Sequence, residues 1–164
     1  MKINVLVPIY NEEESLDIFL SELYGWASQS EHEPRFVLLD DGSTDNTKAM
    51  ISEWKDKSGL DVLIRTNQIN LGLAESLRNI YTELAGYSSP VLRVDADGEM
   101  YTLESLRAIS SNLHKGKIII AQSHDKNGYL GKYEMKKYEK FIRFARKNGM
   151  PLLDPSSLGY QGFP

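Results

Sequence analysis

Hydrophobic residues form short continuous runs along the chain, and the runs are separated by longer segments with a different spacing. The runs cover residues 3–9, 36–39, 62–65, 91–94 and 117–122. Continuous apolar runs of this length, rich in β-branched residues, are typical of strands buried on both faces of a parallel sheet. The pattern therefore predicts five buried strands.

The segments between the runs carry apolar residues at helical spacing. The first shows it most clearly, at Leu16, Phe19, Leu20 and Leu23. Asn11 is placed to cap this helix, with Glu14 three residues later as in a capping box. Ser43 or Thr44 is expected to cap a second helix that ends near residue 57, and further helices are expected over 73–85 and 102–114. Strands that alternate with helices through short connections predict an α/β fold, with helices around a mainly parallel sheet.

Composition and charge narrow the function classes. The 164 residues suggest one domain, 41% are hydrophobic and 26% charged, and the net charge of −4 argues against general nucleic-acid binding. The absence of cysteine excludes disulfides and thiolate chemistry. The apolar N-terminal run lacks the features of a signal peptide, and no apolar stretch reaches 18 residues. We therefore expect a cytoplasmic protein.

Acidic side chains follow several of the predicted strands. In open α/β sheets, ligands bind outside the carboxyl ends of the strands, and neighbouring acidic turns repel one another unless a cation or ligand is bound. Asp95 and Asp97 point to the same side if the backbone is extended. Two such carboxylates suit a divalent cation with oxygen ligands, Mg²⁺ or Mn²⁺. The alternative is a solvated polar turn.

A second acidic turn covers residues 40–45. Asp41 could accept hydrogen bonds from a base or a ribose hydroxyl. The ring of Tyr10 could pack on a planar base or simply form part of the core or rim. The alternative interpretation makes the turn a strand-to-helix junction, with Gly42 for the turn and Ser43 for the cap. That alternative leaves unexplained why two adjacent acids, Asp40 and Asp41, end a buried run.

Four motifs together resemble a known family. They read V-P-I-Y-N-E-E at 7–13, D-D-G-S-T-D-N-T at 40–47, N-L-G-L-A-E-S-L-R-N at 70–79 and V-D-A-D-G-E at 94–99. In this order they resemble the inverting glycosyltransferases of family 2, which have the GT-A fold, and among these most closely the polyprenyl-phosphate (dolichyl-phosphate) sugar transferases. The resemblance covers about residues 2–125.

The resemblance implies a site for a UDP- or GDP-linked sugar. The nucleotide-sugar residues it implies are Pro8, Tyr10, Glu12, Leu39, Asp41, Asn70, Gly72 and Ala96. It also implies that Asp95 and Asp97 hold Mg²⁺ or Mn²⁺ with the diphosphate and are the catalytic residues, and that Glu99 is a further metal ligand. Arg78 matches an arginine of the family, although Ser76 stands where an alanine is usual, and a helical arginine could equally form a surface ion pair.

The C-terminal part differs in composition from the rest of the chain. We therefore expect a nucleotide-sugar-binding part at 1–124 and an acceptor-side part at 125–164. Residues 132–149 are basic with one apolar helical face, which predicts either a helix in a membrane interface or a helix packed on its own domain. Arg143, Arg146 and Lys147 are candidates for an acceptor phosphate. Residues 154–163 resemble the family's acceptor-side segment and add Asp154 and Ser157.

The expected function is metal-dependent, inverting transfer of a sugar to a polyprenyl phosphate at the cytoplasmic membrane face. A phosphate acceptor is already ionised and needs no general base, and Asp154 is the only acid after Glu139. Two alternatives stay open: the same chemistry on a saccharide or protein hydroxyl, and a catalytically silent nucleotide-sugar-binding module. A dinucleotide-binding dehydrogenase is disfavoured because G-x-G-x-x-G is absent.

Overall fold

The computed structural model describes residues 1–86, 89–96, 106–107 and 110, all within one compact unit, Met1–Ser111. Its elements are β1 (Lys2–Ile9), α1 (Leu16–Ala27), β2 (Glu33–Asp40), α2 (Thr47–Ser58), β3 (Asp61–Thr66), α3 (Leu73–Leu84) and β4 (Val91–Arg93). This order confirms the predicted alternation as far as the fourth strand. Of the predicted helix at 102–114, the described positions 106, 107 and 110 are helical. The predicted strand at 117–122 and the basic helix at 132–149 lie outside the described residues.

The four described strands form one parallel sheet in the order β3-β2-β1-β4. The chain builds outward from β1 to β2 and β3, and then returns so that β4 pairs with the other side of β1. Leu6 of β1 lies opposite Val37 on one side and Arg93 on the other. This change of direction makes the β1–β4 boundary the switch point, where ligands bind in open parallel sheets.

Helices cover both faces of the sheet. On one face, α3 packs on the sheet through a cluster formed by Leu6, Val37, Leu39, Ile80 and Leu84. On the other face, the Phe36 ring of β2 lies edge-on between two indoles, with centroids 6.3 Å from Trp26 of α1 and 5.5 Å from Trp54 of α2. Neighbouring residues of a strand point to opposite faces. For that reason Phe36 and Val37 belong to different layers.

Two predicted helix caps are wrong. The α1 helix begins at Leu16 with Ser15 at the N-cap, and Asn11 instead adopts a left-handed backbone with φ 53°. The α2 helix begins at Thr47 with Asn46 at the N-cap, later than Ser43 or Thr44. The physical reason is that the side chains expected to cap their own helices bond to the neighbouring loop instead. Each of the three described helices has 12 residues, and none has the length and apolar character that a bilayer span requires.

Candidate functional site

The carboxyl ends of the four parallel strands bring the polar motifs to one edge of the sheet. Tyr10 follows β1, Asp41 follows β2, Asn67 follows β3, and Asp95 lies just beyond β4. Three main-chain hydrogen bonds continue the sheet past its strand ends, each 2.9 Å long. They run from Asp41 N–H to the Ile9 carbonyl, from Asn67 N–H to the Asp40 carbonyl and from Val94 N–H to the Leu6 carbonyl. The strand ends thus hold the loops at fixed positions.

The loops after β1 and β2 bond to each other through reciprocal hydrogen bonds. Asn11 donates its main-chain N–H to Ser43 Oγ at 3.0 Å, and its own Oδ1 accepts the Thr44 N–H at 2.8 Å. The Glu12 N–H donates to Oγ1 of the fully buried Thr47 at 2.9 Å. Two sequence motifs that are about 30 residues apart therefore form one rigid unit.

Acidic side chains extend this unit into solvent. Asp45 Oδ2 accepts the Glu13 N–H at 3.2 Å, and Glu13 Oε2 accepts the Asn46 N–H at 2.8 Å. Burial raises the pKa of the Asp45 carboxyl, but hydrogen bonds from Thr47 and Glu13 outweigh burial and lower the pKa. The carboxylates of this segment thus satisfy main-chain donors at the start of a helix, where negative charge is favourable.

Asp40 and Asp41 form their contacts on opposite sides of the sheet edge, which explains why two acids end a buried strand. Asp40 is fully buried, and its Oδ1 accepts the Ser43 N–H at 2.9 Å. Its Oδ2 has no hydrogen-bond partner among the described residues, and Lys48 Nζ lies 3.9 Å away. The Asp40 charge therefore faces the first turn of α2.

Asp41 joins the end of β2 to the loop before α3. It is 5% exposed, and its Oδ1 accepts hydrogen bonds from Ser76 Oγ at 2.6 Å, Asn67 Nδ2 at 2.7 Å and Leu71 N–H at 2.9 Å. Burial alone raises the pKa of the carboxyl. The bonds from Ser76, Leu71 and Asn67, with the Gly72 N–H, outweigh burial and hold the pKa below its ordinary value.

Gly42 allows the loop before α3 to approach the turn after β2. Its φ is +75°, and a Cβ added there would lie 2.4 Å from the Ile69 carbonyl carbon and 2.6 Å from the Asn70 nitrogen. Any side chain would meet main-chain atoms, which cannot move aside as a flexible side chain does. The glycine is therefore required by the close approach of a second loop as well as by its own turn.

Asp95 carries an ion pair that the sequence analysis did not anticipate. Arg93 Nε donates to Asp95 Oδ1 at 2.8 Å, and Arg93 Nη2 lies 2.6 Å from the same oxygen. The charges of Arg93 and Asp95 also act on Tyr81 of α3. Burial raises the pKa of the Tyr81 phenol, while the charge of Arg93 lowers it and that of Asp95 raises it.

The remaining predicted site residues differ in their exposure. The Tyr10 ring is 43% exposed at the end of β1, whereas the side chains of Leu39 and Ala96 are 3% exposed. Leu39 belongs to the core cluster under α3, so a contact with a nucleotide would have to come from its main chain. Pro8 and Glu12 are half-buried, and Glu12 Oε2 accepts a hydrogen bond from Ser15 Oγ at 2.6 Å.

In the loop before α3, Asn70 is exposed and its Oδ1 accepts the Gly72 N–H at 2.8 Å. Gly72 forms the N-cap of α3 with φ +82°. Arg78 forms an exposed ion pair with Glu75, as its surface alternative predicts. The ligand roles of these residues, and of Asp41, stay predictions.

The other predicted residues lie outside the described part of the chain: Asp97, Glu99, Arg143, Arg146, Lys147, Asp154 and Ser157. Within the described ranges, no three His, Asp or Glu side chains come close enough together to hold a metal ion. No role was predicted for Arg93 or Asn67, and Ser76 was expected only as a departure from alanine. Arg93 ends β4 and Asp95 lies two residues later, a spacing that could have revealed their pairing.

Sequence comparison places the chain among known glycosyltransferases. The family model described as Glycosyl transferase family 2 matches residues 4–162. The undecaprenyl-phosphate 4-deoxy-4-formamido-L-arabinose transferase of Proteus mirabilis (strain HI4320) is 32% identical over 96 residues, and that of Serratia proteamaculans (strain 568) is 29% identical over 96 residues. In both, the match covers 58% of this chain and 29% of the relative, so the chain spans under a third of these relatives' length.

Solved structures show the same architecture. S. aureus TarS 1-349 in complex with UDP-GlcNAc is similar with a TM-score of 0.54 and 26% identity, over 80% of this chain and 37% of that one. The mannosyltransferase PcManGT from Pyrobaculum calidifontis, in complex with GDP-Man and Mn²⁺, is similar with a TM-score of 0.52 and 24% identity, over 66% of this chain and 31% of that one. These likenesses confirm the predicted GT-A fold. With the family model matched from residue 4 to residue 162, the chain belongs to glycosyl transferase family 2.

Proposed function

We propose that this chain transfers a sugar, with inversion, from a nucleoside diphosphate sugar to a polyprenyl phosphate, with the help of a divalent cation. The observation that carries the proposal is the position of Asp95. It lies just beyond β4 at the switch point of the sheet, on the edge that also presents the exposed Tyr10 ring and the Asn70–Gly72 loop. An acidic group at the ligand-binding edge of a family 2 chain is suited to holding a divalent cation, which would neutralise the charge of a nucleoside diphosphate.

The relatives support the donor and acceptor classes. The curated relatives are named for transfer to undecaprenyl phosphate, and TarS was solved with UDP-GlcNAc and with UDP. The mannosyltransferase that shares the fold was solved with GDP-Man and Mn²⁺. Both uridine and guanosine donors are therefore reasonable candidates for this chain.

The rigid loop pair gives the proposed site its preorganisation. Because Asn11, Ser43 and Thr47 fix the loops after β1 and β2 to each other, Tyr10 is held at the rim without support from a ligand. A site whose groups are already in place loses less free energy on binding and can direct more of its contacts to the transition state. The Asn67–Gly72 loop is held in the same way by Asp41.

The carboxylate ligands expected at this site are of the kind that Mg²⁺ and Mn²⁺ prefer. Asp95 Oδ2 makes no hydrogen bond with the described residues, and the Asp97 and Glu99 expected to join it also offer only oxygen ligands. When bound, such a cation supplies Lewis-acid neutralisation of the leaving diphosphate. The contribution of the chain is to hold Asp95 at the strand end and to position the nucleotide. A phosphate acceptor would attack the anomeric carbon without a general base.

A binding panel tests the donor half of the proposal. Thermal unfolding would be followed with UDP, GDP, CDP and TDP, each with and without Mn²⁺, because a ligand that binds the folded state raises the melting temperature. One nucleotide is expected to stabilise the protein in a Mn²⁺-dependent manner, and Asp97→Asn should abolish that dependence. The absence of any shift at millimolar nucleotide would overturn the proposal.

Transfer assays test the acceptor half. The protein would receive the sugar form of the stabilising nucleotide with either a polyprenyl phosphate in detergent or soluble saccharides. Transfer to saccharides alone would show that the acceptor is a saccharide hydroxyl and not a polyprenyl phosphate. Nucleotide binding without sugar transfer or donor hydrolysis would favour a catalytically silent binding module. Co-sedimentation with anionic liposomes should fall when Lys136, Lys137, Arg143 and Arg146 are replaced by Gln, since clustered Lys and Arg side chains bind anionic lipid.

A further inference from the structure

Arg93 forms an ion pair with Asp95, the carboxylate that is proposed to bind the cation. Both of its contacts, from Nε at 2.8 Å and Nη2 at 2.6 Å, go to Asp95 Oδ1, and Oδ2 is left without a hydrogen bond from the described residues. The side chains are 35% and 25% exposed, so water screens the pair only in part. Arg93 has no other hydrogen bond or ion pair within the described part of the chain.

The strand fixes this geometry. Val91 packs against the cluster under α3, and Arg93, two residues later, lies opposite Leu6 of the same cluster. Residues 91, 93 and 95 therefore follow one face of an extended segment, which places the guanidinium beside Asp95. The pair follows from the strand register and forms without any ligand.

A carboxylate paired with a guanidinium is a weaker ligand for a dication, because the positive charge of arginine repels the ion and one oxygen is already in use. A diphosphate changes this balance, since guanidinium groups bind phosphate oxygens as well as they bind carboxylates. We propose that Arg93 couples cation binding to nucleotide binding. It pairs with Asp95 before the nucleotide binds and moves to the donor diphosphate when the nucleotide arrives, which frees Asp95 for the cation.

This inference rests on the proposed function and adds to it a coupling between the two ligands. Coupling between two ligands is reciprocal, so Mn²⁺ must strengthen nucleotide binding by the same factor by which the nucleotide strengthens Mn²⁺ binding. In the protein without Arg93, Asp95 is free at all times. The coupling factor should then fall, and the affinity for Mn²⁺ alone should rise.

Isothermal calorimetry measures the affinity for Mn²⁺ alone and, when repeated with the nucleotide that stabilises the protein in the thermal-unfolding panel, the coupling factor. Arg93→Gln is compared with the wild type and with Arg35→Gln. Arg35 is a matched control, because it also lies on a strand and pairs with an aspartate, Asp61, at 3.0 Å, but at the opposite end of the sheet. We expect Arg93→Gln to bind Mn²⁺ alone about tenfold more tightly, within the usual range of coupling factors, and to show a smaller gain from the nucleotide.

The outcomes separate the inference from the function on which it rests. Unchanged Mn²⁺ affinity in Arg93→Gln, with wild-type Mn²⁺–nucleotide binding intact, overturns the role of Arg93 and leaves the proposed function standing. A wild type that binds neither Mn²⁺ nor nucleotide overturns both. If Arg93→Gln does not fold, Arg93→Lys replaces it. An ammonium keeps the charge without the planar fork, so intermediate Mn²⁺ affinity is expected, and wild-type affinity overturns the inference.

Discussion

Ser76 Oγ donates a 2.6 Å hydrogen bond to Asp41 Oδ1 across 35 residues of sequence. The same hydroxyl oxygen accepts a hydrogen bond from Asn67 Nδ2 at 2.8 Å. Ser76 is 1% exposed in the first turns of α3, so the bond ties that helix to the end of β2. A residue that looked like a departure from the family motif is therefore part of the support for the candidate site.

Replacing Ser76 by Ala removes both bonds and leaves buried polar groups of Asp41 and Asn67 with fewer partners. We expect the free energy of unfolding to fall by about 1–3 kcal/mol. Urea denaturation measures the change. Ser52→Ala is the matched control, because this exposed helical serine donates its hydrogen bond to the Lys48 carbonyl of its own helix. A Ser76→Ala variant as stable as Ser52→Ala would contradict this interpretation.

Asp41 should make stability depend on pH. Its pKa is lowered in the folded protein, so its contribution is fully present above the pKa of the unfolded chain, about 3.9, and is lost as pH falls through the folded value. Asp41→Asn keeps an acceptor oxygen but has no charge. It should be less stable than the wild type at pH 7, by about 1–2 kcal/mol.

The difference between the two proteins should then shrink below about pH 4. Other carboxyls with lowered pKa values, such as Asp45 and Glu83, titrate in both proteins and cancel in the comparison. Unfolding free energies measured from pH 7 to pH 3 provide the test. A difference that stays constant over this range would show that the charge of Asp41 does not stabilise the fold.

Gly42→Ala should be more damaging than Gly59→Ala, although both glycines have positive φ, 75° and 67°. A Cβ at Gly59 meets no atom within 4 Å, so alanine there adds only backbone strain of about 1–2 kcal/mol. At Gly42 the Cβ also clashes with the main chain of Ile69 and Asn70, which adds about 1–3 kcal/mol. Equal destabilisation of the two variants in urea would exclude the clash.

Thr47 supports the loop after β1 through its hydroxyl. Thr47→Val keeps the shape of the side chain but leaves the Glu12 N–H without its 2.9 Å acceptor, whereas Thr47→Ser keeps the hydroxyl and loses one methyl, about 0.8 kcal/mol. Amide hydrogen exchange distinguishes the two. The Glu12 amide should exchange faster in Thr47→Val and remain protected in Thr47→Ser. Equal protection in both variants would show that another group holds the loop.

Much of the framework could be predicted from local patterns. Apolar runs at 3–9 and 36–39 correctly predicted β1 and β2, and the spacing of Leu16, Phe19 and Leu23 predicted α1. These patterns are informative because burial of one face or of both faces follows directly from hydrophobic periodicity. The same reasoning placed the acidic motifs at one edge of the sheet, since parallel strands end on the same side.

The partners of individual polar groups could not be predicted in this way. Asn11 has the chemistry of a helix cap, yet its side chain accepts a hydrogen bond from Thr44, 33 residues away. Nothing in the local sequence distinguishes these two uses of one amide.

The order of strands and helices as far as β4, the edge at which the motifs lie and the family of the chain could all be read from the sequence. The tertiary structure was needed to show that Asp40 and Asp41 turn to opposite sides and that Ser76 bonds to Asp41 across 35 residues. Burial follows from the local spacing of apolar residues. A long-range hydrogen bond instead depends on which donor, distant in sequence, the fold brings next to the acceptor.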